Sequence, residues 1–254
     1  MWISDVHKTV QGRIAYMRTE TVDVGSYIHV VQRGTRGLPI VRDNLDRFRF
    51  LLMLTHFNDE YASLNWYRDL LDENLQKSLV RPQAWPGQKR LVNIIAFALV
   101  ENHFHLLLQE LVQGGTARFM QRLGIGMAKR FNERYKEKGS LFQGGYRGKI
   151  VSEDDYFRYV SVYVQVKNAF DIHPKGYRWA CDHFDEAYEW ASACPYTSLG
   201  DYTGHFSRLI VEKEFLSSMY SPKEYREFAR DIILGRHPLE NDDEIKDNQT
   251  GFFE

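Results

Sequence analysis

Two histidines separated by one residue, His103 and His105, have the types and spacing that most directly indicate chemistry in this sequence. They follow an apolar run over 94–100 and a short polar break at Glu101 and Asn102. In a β-strand, side chains at positions i and i+2 point to the same face, so the two imidazoles are expected side by side. Two neutral imidazoles in that arrangement supply part of a metal site. The competing interpretation is a polar stripe on a strand.

A basic segment is the second feature that indicates chemistry. Between Arg118 and Lys149 there are nine lysines and arginines and two acidic residues, in a chain whose formal net charge is −1. Such a local excess of positive charge is typical of a surface that binds phosphate groups. The glycines within 140–151 permit close approach of a ligand to the backbone. A solvated helix face is the alternative explanation of the charge.

Three tyrosines, Tyr156, Tyr159 and Tyr163, recur at helical spacing in a segment that opens with two aspartates. Acidic residues before a periodic apolar segment mark a helix start, so an aromatic-rich helix is predicted over 154–169. By periodicity alone, most of these tyrosines are expected in the core.

The histidines need a strand, and the surrounding sequence predicts a sheet that contains it. β-Branched and aromatic residues predict strands over 27–34 and 91–99. Glu101 and Asn102 then predict a tight turn into a third strand that carries both histidines. The histidine strand is therefore expected to be antiparallel to its neighbours and central in the sheet. A glycine-interrupted strand or extended segment is predicted over 140–151.

Helices are predicted in the segments of the chain between and after these strands. An acidic cap and apolar residues at helical spacing predict one over 43–54, and Thr116 is predicted to cap another. The irregular stretch 58–90 is interpreted as an insertion with a helix around 64–79. A last helical region is predicted over 222–234.

Composition bounds the class of protein. A chain of 254 residues, 26% of them charged and without a long apolar run, predicts a soluble globular protein with one main domain and no membrane partner. The first residues lack the layout of a signal peptide, so a cytoplasmic location is expected. Cys181 and Cys194 form no Cys-x-x-Cys pair, which argues against a disulfide framework or a thiolate zinc site.

Four blocks of sequence, in a fixed order, resemble the single-tyrosine transposases of the HUH nuclease superfamily, which include insertion-sequence and REP-associated tyrosine transposases. The blocks are 27–34 with 40–48, the Asn-His-Phe-His-Leu-Leu-Leu sequence of 102–108, 131–132 with 139–147, and 156–168. The second block resembles the family's Asn-His-x-His-Leu-Leu signature, and the fourth resembles its tyrosine helix. The resemblance covers about residues 26–205.

The fold that the resemblance implies is α+β: a ferredoxin-like antiparallel sheet with helices on one side, plus an insertion and a C-terminal extension. The implied divisions are an N-terminal extension over 1–25, a catalytic domain over 26–178 that contains the 58–90 insertion, and a C-terminal extension over 179–254. The acidic tail of that extension is expected to be disordered or to act as a docking element.

The activity that the resemblance implies is the cutting and joining of single-stranded DNA next to hairpins, by a monomer or a homodimer. Mg²⁺ or Mn²⁺ held by His103 and His105 would polarise the scissile phosphate. Tyr163, the nucleophile by motif position, would attack phosphorus and form a 5′-phosphotyrosine with a free 3′-hydroxyl. Another 3′-hydroxyl can reverse the step, which gives strand transfer without ATP. Tyr159, one turn earlier, is the reserve nucleophile.

The residues expected to contact DNA are basic or aromatic. Phosphate contacts are expected from Arg33, Lys129, Arg130, Arg147 and Lys149. Tyr146 or Phe142 is expected to stack on an unpaired base.

The sequence after the tyrosine departs from the family pattern, and the family's Asn-Pro pair is replaced there by Asn168 and Ala169. The residue one helical turn after the nucleophile is typically an amide or other ligand that completes the metal site, and here it is Lys167. A protonated lysine cannot coordinate a cation. Three alternatives stay open: Asn168 is the ligand if the helix is distorted, Gln165 reaches the ion from another angle, or Lys167 contacts the phosphate directly.

Two other functions are compatible with these residues. A regulatory protein of the same fold would bind hairpin DNA without cutting it. A metal-dependent phosphoesterase would use His103 and His105 with water as the nucleophile, so its activity would not need Tyr163.

Overall fold

A four-stranded antiparallel sheet forms the centre of the molecule. Its strands are β1 (Tyr27–Arg33), β2 (Val92–Leu99), β3 (His103–Glu110) and β4 (Arg147–Val151), and their order across the sheet is β2-β3-β1-β4. The histidine strand β3 is therefore internal and antiparallel to both neighbours, as the sequence predicts. This computed structural model describes residues 22–236, so most of the predicted N-terminal extension and the predicted acidic tail lie outside the described residues.

Two crossover helices pack on one face of the sheet. Helix α1 (Asn44–Phe57) connects β1 to the insertion before β2, and α3 (Gly115–Tyr135) connects β3 to β4. Their apolar residues share a cluster with the side chains of β1 and β3 that point to this face, including Val30, Phe104 and Leu106. The β-α-β-β-α-β order and the strand order confirm the expected ferredoxin-like fold.

A second layer of helices covers the opposite face. It begins with α4 (Asp154–Val162), continues through a π turn at Tyr163–Lys167 into α5 (Asn168–Asp171), and includes the later helices. These later helices are α6 (Tyr177–Asp182), α7 (Phe184–Ala193), α8 (Leu199–Tyr202), α9 (Glu214–Met219) and α10 (Pro222–Ile233). Residues beyond 178 share one hydrophobic cluster with α4 and with Leu107 of β3. The predicted C-terminal extension thus helps to bury the second face of the sheet.

The insertion between α1 and β2 contains one helix, α2 (Trp66–Asp72), which is shorter than the predicted helix around 64–79. The helix ends early because Asn74 takes the left-handed conformation at φ +56°, and the backbone N–H groups of Asn74 and Leu75 donate back to the carbonyl oxygens of Leu71 and Leu70. None of the helices within residues 22–236 is long and apolar enough to cross a membrane.

Helix α3 starts differently from the prediction that Thr116 caps it. The helix begins at Gly115, after Gly114 in the left-handed conformation at φ +71°. The buried carboxylate of Glu110 accepts hydrogen bonds of 2.8 Å from the backbone N–H groups of Gly115 and Thr116. A carboxylate at the end of β3 therefore satisfies the free N–H groups and complements the helix dipole, and Thr116 lies inside the helix.

Candidate active site

Cross-strand pairing arranges the histidines and several basic residues in rows on the face of the sheet that α4 covers. Residues directly opposite each other in antiparallel strands point to the same face. The rows are His103 with Arg33, His105 with Val31 and Arg147, and Leu107 with His29 and Lys149. The strand spacing thus brings both histidines of β3 and three basic side chains to one face.

His103 and His105 lie side by side, as the i, i+2 spacing predicts. Their ring centroids are 4.9 Å apart. His105 is buried, and His103 at the start of β3 is half-buried. The pair therefore sits where the covered sheet meets its open end.

His29 on β1 is a third histidine of this site, which no pattern in the sequence indicates. Its Nε2 atom is 3.0 Å from Nδ1 of His105, and both rings are buried. Their centroids are 5.2 Å apart and their planes differ by only 21°, so the two rings meet edge to edge and are nearly coplanar. Only the register of β1 against β3 reveals this contact, because the two histidines are 76 positions apart in the chain.

Asn102 orients His103. Its side-chain Nδ2 donates to the carbonyl oxygen of Gly37 at 3.1 Å, so its Oδ1 faces His103, where the distance to Nδ1 is 2.7 Å. An amide oxygen only accepts hydrogen bonds, so Nδ1 of His103 carries the proton. The other ring nitrogen, Nε2, then has the lone pair that a metal requires.

Tyr163 lies beside the histidines. Its ring centroid is 5.5 Å from that of His105 and 6.2 Å from that of His29. The ring of Tyr159, the reserve nucleophile, is 6.5 Å from that of Tyr163, and the ring of Tyr156 lies 4.9 Å from Nζ of Lys149. The geometry therefore brings the tyrosine chosen by motif position to the histidine pair.

A π turn follows Tyr163 and changes which residue comes one helical turn after it. The backbone N–H of Asn168 and its side-chain Nδ2 both donate to the carbonyl oxygen of Tyr163, the latter at 2.8 Å. This wider turn contains one residue more than an α-helical turn, so Asn168 replaces Lys167 at the position after the turn. The Oδ1 atom of Asn168 is buried and has no hydrogen-bond partner within the described residues.

Lys167 and Gln165, the other two alternatives for the missing ligand, differ in their surroundings. Nζ of Lys167 is 5.1 Å from the ring centroid of Tyr163 and forms a 2.7 Å ion pair with Asp171. Gln165 is fully buried, where its amide donates to the hydroxyl of Tyr225 at 3.0 Å and accepts from that of Ser198 at 3.1 Å. Lys167 thus belongs to the site, whereas both ends of the Gln165 side chain are bound within the helical layer.

Burial sets the protonation states of the site. It lowers the pKa of His29 to about 3 and that of His103 to about 4, with positive charges nearby adding to both shifts. The pKa of His105 is likewise well below its ordinary value. All three imidazoles are therefore neutral at neutral pH, the form that binds metals. Burial, followed by the charge of Asp171, raises the pKa of Tyr163, so its hydroxyl is protonated in the resting site.

The predicted phosphate contacts fall into two groups. Arg33, Arg147 and Lys149 lie on the histidine face of the sheet. Lys129 and Arg130 are on α3, which packs against the opposite face. Charge counting along the sequence does not separate the groups, because the separation depends on the sheet between them.

The two aromatic residues expected to stack on a base also differ. Phe142 is buried in the core, 6.1 Å from Phe104 between ring centroids, so the stacking expectation is wrong for this residue. Tyr146 is half-buried and lies immediately before β4.

A cleft of about 830 Å³ adjoins the site at the end of the sheet. Asn102 is part of its wall and is also hydrogen-bonded to His103. Trp190, Tyr196 and Arg47 also line it, and the Arg47 guanidinium lies 5.6 Å from the centre of the Tyr196 ring. The cleft thus offers aromatic and polar surface next to the histidine pair.

The two histidines of β3 suit a divalent cation only together with a further ligand of another chemical type. Within residues 22–236, no group of three or more histidine, cysteine, aspartate or glutamate side chains could hold a metal ion. The amide oxygen of Asn168 is a donor atom of another type; it is buried, has no hydrogen-bond partner within the described residues, and belongs to a side chain whose Nδ2 donates to the backbone oxygen of Tyr163. Amide oxygens are ligands that Mg²⁺ and Mn²⁺ accept, whereas imidazole nitrogens are more typical ligands of zinc, copper, iron and nickel.

Comparison with known protein families agrees with the sequence blocks around the histidines and the tyrosine helix. Residues 68–167 match the family described as IS200-like transposase, and this segment includes both histidines of β3 and Tyr163. The match confirms the resemblance to tyrosine transposases. Among solved structures, the chain is similar to a REP-associated tyrosine transposase bound to a REP hairpin, at 12% sequence identity and a TM-score of 0.41, covering 78% of this chain and 94% of that one. No curated protein matches the chain significantly.

Proposed function

On the premise that residues 68–167 carry the sequence of the IS200-like transposase family, we propose that this protein is a metal-dependent transposase that cuts and rejoins single-stranded DNA beside a hairpin. One observation carries the proposal: the ring of Tyr163 lies 5.5 Å from that of His105, on the face of the sheet that also holds His103. A nucleophile and two neutral imidazoles at one place form the minimal set for metal-assisted attack on a phosphodiester.

The proposed metal ligands are the Nε2 atoms of His103 and His105 and the amide oxygen of Asn168. Asn102 leaves Nε2 of His103 with its lone pair, and the π turn puts Asn168 where a regular helix would have Lys167. A bound Mg²⁺ or Mn²⁺ supplies Lewis-acid polarisation of the scissile phosphate.

Tyr163 is the proposed nucleophile. Its oxygen forms a bond to phosphorus, the bond from phosphorus to the 3′-oxygen breaks, and the phenolic proton ends on the released 3′-hydroxyl. Because burial raises the pKa of Tyr163, loss of that proton requires nearby positive charge. Lys167, with Nζ 5.1 Å from the Tyr163 ring centroid, is proposed to stabilise the phenolate and to contact the phosphate.

The proposed DNA path follows the positive charge on the histidine face. Arg33, Arg147 and Lys149 lie in the same rows as the histidines and are proposed to contact phosphates. The cleft beside Asn102 is proposed to receive unpaired nucleotides next to the hairpin, because Trp190 and Tyr196 offer rings for stacking. Tyr163 lies against the histidines of its own chain, so the proposed chemistry requires no second subunit.

A hairpin-binding regulatory protein is the second candidate, and the Lys167–Asp171 ion pair is the observation that favours it. A lysine beside the histidines opposes cation binding, and its charge contributes to lowering the pKa values of His103 and His105. Such a protein would keep the basic surface and bind DNA with a strong salt dependence.

The deciding experiment incubates the protein with Mn²⁺ and a pool of labelled, hairpin-containing single strands, and looks for a covalent protein–DNA adduct. We expect an adduct with the native protein, none with Tyr163→Phe or His103→Ala, and an adduct with the matched control Tyr159→Phe. Hairpin binding without any adduct would instead support the regulatory protein. Strand cleavage that survives Tyr163→Phe without an adduct would indicate a water nucleophile.

A further inference from the structure

His29 and His105 are joined by one hydrogen bond between two ring nitrogens. Nε2 of His29 and Nδ1 of His105 are 3.0 Å apart, a hydrogen-bond distance, and one of them must donate to the other. In the first arrangement, His29 donates and Nδ1 of His105 accepts. In the second, His105 donates from Nδ1 and His29 accepts. The two arrangements have the same heavy-atom geometry but different tautomers of His105.

Only the second arrangement is compatible with a metal on His105. If His29 donates, the lone pair of His105 Nδ1 is used in the hydrogen bond, and the remaining proton of the neutral ring is on Nε2. Neither nitrogen then has a lone pair for a cation. If His105 donates from Nδ1, its Nε2 lone pair is available.

We propose that His29 is a positioning residue that accepts the Nδ1–H of His105 and thereby holds His105 in the tautomer that can bind the metal through Nε2. This inference rests on the proposed metal-dependent function. His29 would act through His105, without touching the metal or the DNA phosphate.

The neighbouring histidine supports this assignment. Nδ1 of His103 donates to the amide oxygen of Asn102 at 2.7 Å, which leaves its Nε2 for a ligand. His29 would do for His105 what Asn102 does for His103, with an imidazole nitrogen in place of an amide oxygen. Hydrogen-bond acceptors behind metal-binding histidines are the common way in which proteins set the tautomer and the ring orientation.

Packing gives His29 the rigidity that this role needs. It is fully buried in β1, an internal strand, and lies directly opposite Leu107 of β3 and Lys149 of β4. Its ring is nearly coplanar with that of His105, at an interplanar angle of 21°, so the ring nitrogens face each other in the plane that a hydrogen bond requires. A buried ring between two paired strands has little freedom to move, so the acceptor stays aligned.

The first measurement is the tautomer of His105 in the metal-free native protein, from long-range ¹H–¹⁵N NMR of the imidazole nitrogens. We expect Nδ1–H for both His105 and His103. An Nε2–H tautomer at His105 would overturn the proposal, whatever the protein does with metal or DNA.

The second measurement is Mn²⁺ affinity by titration calorimetry for two variants of His29. His29→Phe removes the acceptor and keeps a ring, so we expect affinity to fall about 10- to 100-fold and the His105 signals to move towards Nε2–H. His29→Gln retains an acceptor oxygen and should restore most of the affinity. His56→Phe is the matched control, because it removes another buried histidine, one that lies in α1 on the opposite side of the sheet.

The outcomes separate this inference from the proposed function. If the native protein binds no Mn²⁺, the proposed function fails, while the NMR tautomer still decides the arrangement of the two rings. If His29→Phe binds Mn²⁺ as tightly as the native protein does, the positioning role is wrong while the metal site stands. Equal losses in His29→Phe and His56→Phe would mean a general effect of removing a buried imidazole and would also overturn the role. If His29→Phe does not fold, the Mn²⁺ affinity of His29→Gln and the tautomer of His105 in the native protein still test the proposal.

Discussion

Acid sensitivity is a quantitative consequence of burying neutral histidines. Burial lowers the pKa of His29 to about 3 and those of His56 and His103 to about 4, whereas each has a pKa near 6.5 in the unfolded chain. Between these values the unfolded chain binds protons that the folded protein does not. Stability is therefore unaffected above about pH 6.5, falls as the pH drops towards 4, and loses nothing more from these groups below their folded values.

The size of the effect follows from the same pKa values. Each of these three histidines is expected to remove about 2 kcal/mol from the free energy of unfolding between pH 7 and pH 5, or about 6 kcal/mol together. His105, whose pKa is also well below its ordinary value, adds to this loss. Whole domains are stable by about 5–15 kcal/mol, so the metal-free protein is expected to be close to unfolding at pH 5.

Urea unfolding in the presence of EDTA at pH 7, 6 and 5, followed by circular dichroism, measures this loss. The window lies above the range in which the stability contributed by Asp43 is lost, because the pKa of this carboxyl is about 3.9 in the unfolded chain and Arg134 holds it at about 2 in the folded protein. A free energy of unfolding that differs by less than about 1 kcal/mol between pH 7 and pH 5 would refute the reasoning. His56→Phe is expected to reduce the pH dependence by about 2 kcal/mol, since it removes one of the three groups.

Four further outcomes are expected at the site and on the DNA surface. Asn168→Ala should lower Mn²⁺ affinity at least about tenfold, and Asn168→Asp should retain it; calorimetry showing no loss in Asn168→Ala would exclude this ligand. Lys167→Ala should slow adduct formation about 100-fold in single-turnover assays without lowering Mn²⁺ affinity. Arg147→Ala should lower the slope of log affinity against log salt for hairpin binding by about the contribution of one phosphate contact. Lys129→Ala, in α3 on the opposite face of the sheet, should leave that slope unchanged. Trp190→Ala should weaken binding of a hairpin with an unpaired flank by about 1–3 kcal/mol and leave a flankless hairpin unaffected.

The sequence by itself determines the parts of the site that depend on local periodicity. His103 and His105 share a face because side chains alternate along a strand, whatever the strand packs against. The Asp43 cap of α1 is likewise local, and its side chain accepts a hydrogen bond from the backbone N–H of Asp46. The family blocks add the order of strands and helices, which the sheet topology confirms.

The folded structure separates the basic residues into two groups on opposite faces of the sheet. The charges of Lys129 and Arg147 are alike in the sequence, but α3 and β4 put them on opposite sides of the sheet. A count along the chain contains no information about the layer in which a helix packs.

Tertiary structure alone decides the positions of the two residues that we propose to complete the site. The contact of His29 with His105 depends on the register between β1 and β3, which is set by pairing over a long stretch of chain. The position of Asn168 depends on a π turn, which widens the helix by one residue and shifts every later side chain around its axis. Alternation and helical spacing are properties of neighbours in the chain, whereas register and helix distortion are determined by packing between elements that are distant in sequence.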